Sequence, residues 1–231
     1  MRIRIKFFLV SFVFFQLHQV HAQGNLVPKN VEDAIITLGG RIRTNSFNFV
    51  YDGSPYLNEV FEYGEIFYNN EWRFLDIPIR YNILNDEIEY KRPDKETIYA
   101  LEADTLFNMI IIPEDTFIVS KYEKDLKVKP GFFKLIASGK ATLMIKMELE
   151  FKEATSETTH EMAMAARFIK KPDQYYIKKQ GHLPEIVKNV KKLIERLGDH
   201  QDKLTTYAKE EKLSGKKEKN LKQIINYYNS L

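Results

Sequence analysis

Acid and base work, nucleophilic attack and metal binding near neutral pH rest mostly on histidine and cysteine, and this chain is poor in both. It has no cysteine, which removes thiol nucleophiles, thiolate metal sites, redox couples and disulfides. Beyond residue 22 the only histidines are His160, His182 and His200, and none stands three or four residues from another. That spacing is what sets two imidazoles on one helix face, so neither a metal nor a cofactor is expected. Gly139-Lys140 has the look of the end of a phosphate-binding loop. The residue after Lys140 is Ala141, however, and the position five before Gly139 holds Lys134 rather than glycine, so these residues read as a hairpin turn. No Gly-x-Ser-x-Gly nucleophile elbow occurs.

Carboxylates are plentiful. Asp86-Glu87, Glu114-Asp115, Glu148 and Glu150 are the notable groups, and a glycosidase needs two such residues across a cleft. Glu148 and Glu150 alternate with Met147 and Leu149, which makes them one solvated strand face. Asp52-Gly53-Ser54-Pro55 and Asn85-Asp86 are turn formers first. The aromatics are less bland: Phe47, Phe49, Tyr51, Tyr56, Phe61, Tyr63, Phe67, Tyr68, Trp72, Phe74 and Tyr81 fall within one short stretch. Core and cross-strand pairing accounts for most of them. Among them Tyr56, Tyr63, Tyr68 and Trp72 form the candidate binding surface, since exposed Tyr and Trp rings stack sugars or nest peptides. Met162, Met164 and the small residues Ala163 to Ala166 make a soft apolar island, suited to docking or to the core.

Elements must hold these residues in place. From about Ser46 to Phe151, short runs of Phe, Tyr, Ile and Val separated by Asn, Asp, Gly and Pro predict antiparallel strands. Gly64 to Tyr68 and Glu71 to Ile83 flank Asn69-Asn70, a pair that accepts a left-handed hairpin turn. Within the second run the apolar parity changes between Phe74 and Leu75, which predicts a β-bulge there. Phe107 to Ile112, apolar without alternation, is expected at the centre of the sheet. Leu143 to Phe151 alternates cleanly and predicts a single half-buried strand. Lys152 to Thr159 reads as a loop, and Tyr175 to Lys178 as a last strand. After Pro184 the period becomes helical, with Ile186, Val187, Val190, Leu193, Ile194 and Leu197 on one stripe and Gly198 as its stop. Asp199 and Ser214 are expected to cap two further helices. The fold class is α+β: a curved or half-closed antiparallel β-meander of about seven to nine strands with three short C-terminal helices.

The amino end has Arg2, Arg4 and Lys6, then an apolar run from Phe7 to Phe15, then Val20-His21-Ala22. This is the pattern of a cleavable signal peptide over residues 1–22, and the run is shorter than the ~20 residues a spanning helix needs. Residues 23–179 are expected to form the β domain and 180–231 a helical tail packed on the sheet. The same three cations account for the whole net charge of +3, so the mature chain is neutral and lacks a field for nucleic acid. Gln180 to Leu231 carries 11 basic and 7 acidic residues, a local excess that reads as a solvated helical face.

Gly53-Ser54-Pro55-Tyr56-Leu57-Asn58, Phe61, Gly64-Glu65-Ile66 and Ile79-Arg80-Tyr81-Asn82, with Tyr175-Tyr176-Ile177 and Tyr227-Tyr228-Asn229 in the tail, resemble a type of exported hypothetical protein of Gram-negative bacteria. The resemblance covers most of the mature chain. It implies export and a single domain plan, and contributes no catalytic residues. The expected function is that of a non-enzymatic exported envelope protein, periplasmic or secreted, which binds a peptide, glycan or lipid or serves in an assembly. Its partner would be an envelope component, with no nucleic acid involved and no transmembrane span once the leader is removed. The alternative is an exported hydrolase using scattered Asp and Glu carboxylates.

Overall fold

A computed structural model describes residues 27–29, 31–38, 40–43, 50–92, 95–156 and 163–231. The leader, Phe47, Phe49, His160 and Met162 lie outside the described residues. The chain enters through β1 (Val27–Lys29), a helix α1 (Val31–Leu38) that the sequence reading did not foresee, β2 (Arg41–Arg43) and β3 (Tyr51–Asp52). The first long hairpin joins β4 (Glu62–Tyr68) to β5 (Trp72–Asn82). Asn69 and Asn70 both take φ 54, and the Glu71 amide donates to the Tyr68 carbonyl at 3.1 Å, so the asparagine pair makes the turn. Gly64 pairs with Ile77 and Ile66 with Phe74, which leaves an extra residue on β5 where Asp76 has φ 53. This is the bulge expected from the parity change. It returns Phe74, Ile77, Ile79 and Tyr81 to one buried face.

β5 continues into β6 (Glu87–Lys91) and β7 (Ile98–Glu102), and a second meander runs through β8 (Phe107–Ile112), β9 (Asp115–Lys124), β10 (Lys127–Ala137) and β11 (Ala141–Lys146). β4 pairs with β8, so the two meanders grow outward from that seam, and β8 is central as expected. After β11 come β12 (Leu149–Lys152), β13 (Ala166–Lys170), β14 (Gln174–Lys179) and β15 (Glu185–Val187). The main sheet is ordered β15-β14-β11-β10-β9-β8-β4-β5-β6-β7-β2, with β1 parallel to β5, and β12-β13-β3 form a second, small sheet.

The α+β class stands, but the curved or half-closed meander is corrected: the sheet is open, ending on β15 at one edge and β2 at the other. Helices supply the reason. A sheet whose apolar face is covered by helices has no need to roll up to bury it. The helices are α2 (Val190–Leu197), α3 (Gln201–Glu210) and α4 (Glu218–Ser230). Val190, Leu193, Ile194 and Leu197 of α2 and Leu221, Ile224, Ile225 and Tyr228 of α4 join Leu143, Ile145 and Ile177 of the sheet in one core. No helix among the described residues is long and apolar enough to cross a membrane.

Three further expectations change. Leu143 to Phe151 is not one half-buried strand: β11 stops at Lys146, and Leu149–Lys152 leaves for the small sheet, where the Phe168 ring lies 5.0 Å from both Tyr51 and Phe151. Met144 and Lys146, expected on the solvated side, are both buried. Ile186 and Val187 belong to a strand rather than to the helical stripe, because Asn189 caps α2 by accepting from the Lys192 amide at 2.9 Å. The positions preceding α3 and α4 are held by His200 and Lys217 instead of Asp199 and Ser214.

Candidate functional site

The carboxylates singled out in the sequence are mostly occupied. Asp86, at φ 56 in the β5–β6 turn, accepts through Oδ1 from the Tyr81 hydroxyl at 2.8 Å and the Phe132 amide at 3.2 Å. Its Oδ2 lies 2.5 Å from Lys146 Nζ, which also donates to the Phe132 carbonyl at 2.8 Å. The arrangement follows from the register. β11 leaves β10 before it reaches Phe132, so the Phe132 amide and carbonyl lose their ladder partners, and Asp86 and Lys146 take their place. Burial pushes the Lys146 ammonium below its ordinary value, an effect that Asp86 opposes. Burial also pushes the Tyr81 phenol well up, with the Asp86 charge and hydrogen bond adding to it. Tyr122, whose ring centroid lies 5.6 Å from Lys146 Nζ, is raised for the same first reason.

A second cluster sits on β5 and β6. Glu89, fully buried, accepts from Arg80 Nε at 2.9 Å and from Asn82 Nδ2 at 2.9 Å, while Glu87 is held by Arg41 and Arg43. The Arg80 guanidinium lies 3.5 Å from the Tyr56 ring centroid and 4.4 Å from that of Phe61. Glu148 pairs with Lys124, and Asp115 with Lys134. Asp86 and Glu148 both act on Lys146 and Tyr122, yet each already has its own lysine. Glu114 and Glu150 are exposed. Among the described residues no three His, Asp or Glu gather as a metal site, and His182 and His200 are exposed.

The four candidate aromatics do not share a free face. Tyr56 is stacked on Arg80, and Tyr68 packs on Phe107 with centroids 5.2 Å apart. Trp72, the cross-strand partner of Tyr68, carries the Lys29 ammonium 4.6 Å from its ring centroid. Only Tyr63 among the four is open, at 61% exposure. Gly139-Lys140 turns the β10–β11 hairpin under the last helix. Asn229 Oδ1 accepts from the Ala141 amide at 2.9 Å, and its Nδ2 donates to the Ser138 carbonyl at 3.2 Å. A Cβ on Gly139 would stand 2.5 Å from the Asn229 side chain, so glycine is required there for close approach.

A wide opening lies elsewhere, between α2 and α3. It is a groove of about 810 Å³, within the range of small-molecule sites. Val190, Ile194, Ala208 and Leu213 form its floor, each less than a tenth exposed. Lys191, Lys209 and Lys212 stand at its rim, with Gln201 and Thr205 along the wall. The link between α3 and α4 closes one end, tied by the Val190 amide donating to the Gly215 carbonyl at 2.9 Å and the Leu213 amide to the Ala208 carbonyl at 2.8 Å. Glu195, the acidic residue of the lining, is bonded to Lys192 at 2.6 Å. No ion pair among the described residues engages Lys191, Lys209 or Lys212. A smaller cavity of about 320 Å³ lies beside Tyr68, Leu101 and Phe107.

No family model, no curated protein and no solved structure matches this chain. Sequence reasoning missed the groove although its trace was visible: the basic excess of residues 180–231 was assigned to a solvated face, while the apolar stripes of α2 and α3 were assigned wholly to the core.

Proposed function

We propose that this is a non-catalytic exported protein of the cell envelope, periplasmic or secreted, whose α2–α3 groove holds the apolar chain of a lipid-type ligand. The observation that carries this reading is a groove between two helices that is floored by the core residues Val190, Ile194, Ala208 and Leu213. Of the three ligand classes weighed from the sequence, a glycan is the poorer fit because Tyr56, Tyr68 and Trp72 already have ring faces in use. A peptide added to a sheet edge would need a long free strand, and the edge strands β2 and β15 have three residues each. The groove walls are helices with satisfied backbones, which offer aliphatic and side-chain contacts, the chemistry of an acyl chain. Export is supported by Arg2, Arg4, Lys6 and the apolar run that ends before Val20-His21-Ala22, and by the resemblance to exported hypothetical proteins.

The neutral dye N-phenyl-1-naphthylamine should brighten on binding the purified protein and be displaced by decanol. Thr205→Trp places an indole in the groove from an exposed position and should abolish uptake without moving the thermal midpoint. Dye uptake that Thr205→Trp leaves untouched would put the ligand somewhere else. For export, amino-terminal sequencing of the mature form should begin at Gln23, and an intact Met1 would contradict it.

A further inference from the structure

We infer that the groove is selective for an amphiphile with an anionic head, which Lys191, Lys209 and Lys212 hold at the mouth while the chain lies on Val190, Ile194, Ala208 and Leu213. The inference rests on the groove being the ligand site and adds the charge of the ligand. Its basis is charge complementarity. On the sheet the interior cations are matched: Lys146 by Asp86, Arg80 by Glu89, Arg43 by Glu87, Lys134 by Asp115. At the groove the one lining carboxylate, Glu195, is already bonded to Lys192, and its acid is held below the usual range first by that hydrogen bond, with the charges of Lys192 and Lys191 contributing. Among the described residues no ion pair engages Lys191, Lys209 or Lys212, and the three stand over an apolar floor. Electrostatic attraction and the hydrophobic effect then act on different ends of one molecule.

Lys212 lines the groove as well. It sits just past α3 at φ 54, the left-handed position that glycine or asparagine usually takes at a helix end. A lysine there accepts a backbone conformation that disfavours any side chain with a Cβ. The turn carries the neighbouring Leu213 into the floor, and Lys212 lines the groove beside it. The mouth also includes Asn189 and Lys191 at the start of α2, where the helix dipole favours negative charge. Lysine heads are mobile point charges rather than rigid forks, so they accept either a carboxylate or a phosphate head.

Calorimetric titration of the full mature protein with sodium decanoate, decyl phosphate, decanol and decyltrimethylammonium, each below its micelle threshold, separates the terms. Both anions should bind about tenfold tighter than decanol, the size expected of a few partly exposed ion pairs acting together. The cation should bind more weakly than decanol. The preference for anions should vanish in the triple variant Lys191→Gln, Lys209→Gln, Lys212→Gln and shrink steeply in ~1 M salt, where screening acts within a few ångströms. Decanol affinity should stay unchanged in both cases. Equal affinity for decanoate and decanol, or a preference that survives the triple variant, overturns the anionic head while the groove remains a ligand site. Failure of all four amphiphiles to bind overturns the groove and the head selectivity together. Preference for one anion over the other supports the inference and identifies the head.

Discussion

The aromatic hairpin of β4 and β5 and the helix pair α2–α3 both set apolar side chains beside cations, and they differ in whether those cations have partners. On the hairpin Arg80 is stacked between Tyr56 and Phe61 and bonded to Glu89, and Arg73 is bonded to Glu65. On the helices Lys191, Lys209 and Lys212 line the groove, and no ion pair among the described residues engages them. Satisfied polar groups build architecture, because the N–H donors or lone pairs they would offer a ligand are already engaged. Unsatisfied ones beside a concavity are where a ligand gains by binding. The richer sequence signal, the aromatics around β4 and β5, thus marks mostly structure, and the duller one, scattered lysines on helices, marks the candidate site.

The sharpest way to break this comparison is to remove one member of a satisfied pair. Asp86→Ala leaves Lys146 without its counter-ion at 3% exposure and returns the Phe132 amide to an unpaired state, which should cost roughly 3–5 kcal/mol in urea denaturation. A loss well under 1 kcal/mol would show that the pair does not hold β10 to the β5–β6 turn. The same cluster contributes to the alkaline limb of stability, alongside other buried phenols such as Tyr90. The Tyr81 and Tyr122 phenols are held above their ordinary value of 10.0, so above that pH the unfolded chain loses protons that the folded chain keeps, and stability falls as pH rises. Lys146, lowered from 10.5, acts with the opposite sign: between its lowered value and 10.5 the unfolded chain binds more protons, so stability gains as pH rises there. The urea midpoint should therefore decline past pH 10, and Tyr81→Phe or Tyr122→Phe should flatten that decline.

Leu193, fully buried on α2, comes next. Leu193→Ala should cost about 2–4 kcal/mol, and an unchanged denaturation midpoint would make the helices a separate appendage. Asn229→Ala removes its bonds to Ser138 and Ala141 and should cost about 1–3 kcal/mol by the same measurement. The smallest effects are expected at the rim. The triple lysine-to-glutamine variant, and likewise His182→Gln with His200→Gln, should leave stability within about 0.5 kcal/mol, since these side chains are exposed and no ion pair among the described residues engages the rim lysines.

How much of this was legible in the sequence depends on whether the deciding contact was local. Asn69-Asn70, the parity break at Phe74, the central place of Phe107 to Ile112 and the stripe of α2 from Val190 to Leu197 are short-range patterns, and they were readable. Lys146 was assigned to a solvated face because nothing near it in the chain announces Asp86, which arrives from a turn sixty residues earlier. The break of Leu143 to Phe151 into two sheets follows from the same tertiary demand. Ile186 and Val187 fit a helical stripe as well as a strand, and pairing with Tyr175 and Tyr176 decides between them. The groove needs two helices at once, and no single helical stripe records how far its neighbour stands from it.

The most direct measurement is a nuclear magnetic resonance titration of the isotope-labelled mature protein with decanoate. Shift changes are expected in residues 189–195, 201–213 and the link to Gly215, with Tyr63, Tyr68 and Trp72 unmoved. Changes centred on β4 and β5, with α2 and α3 silent, would contradict the assignment of ligand binding to the uncompensated helices and return it to the aromatic strands.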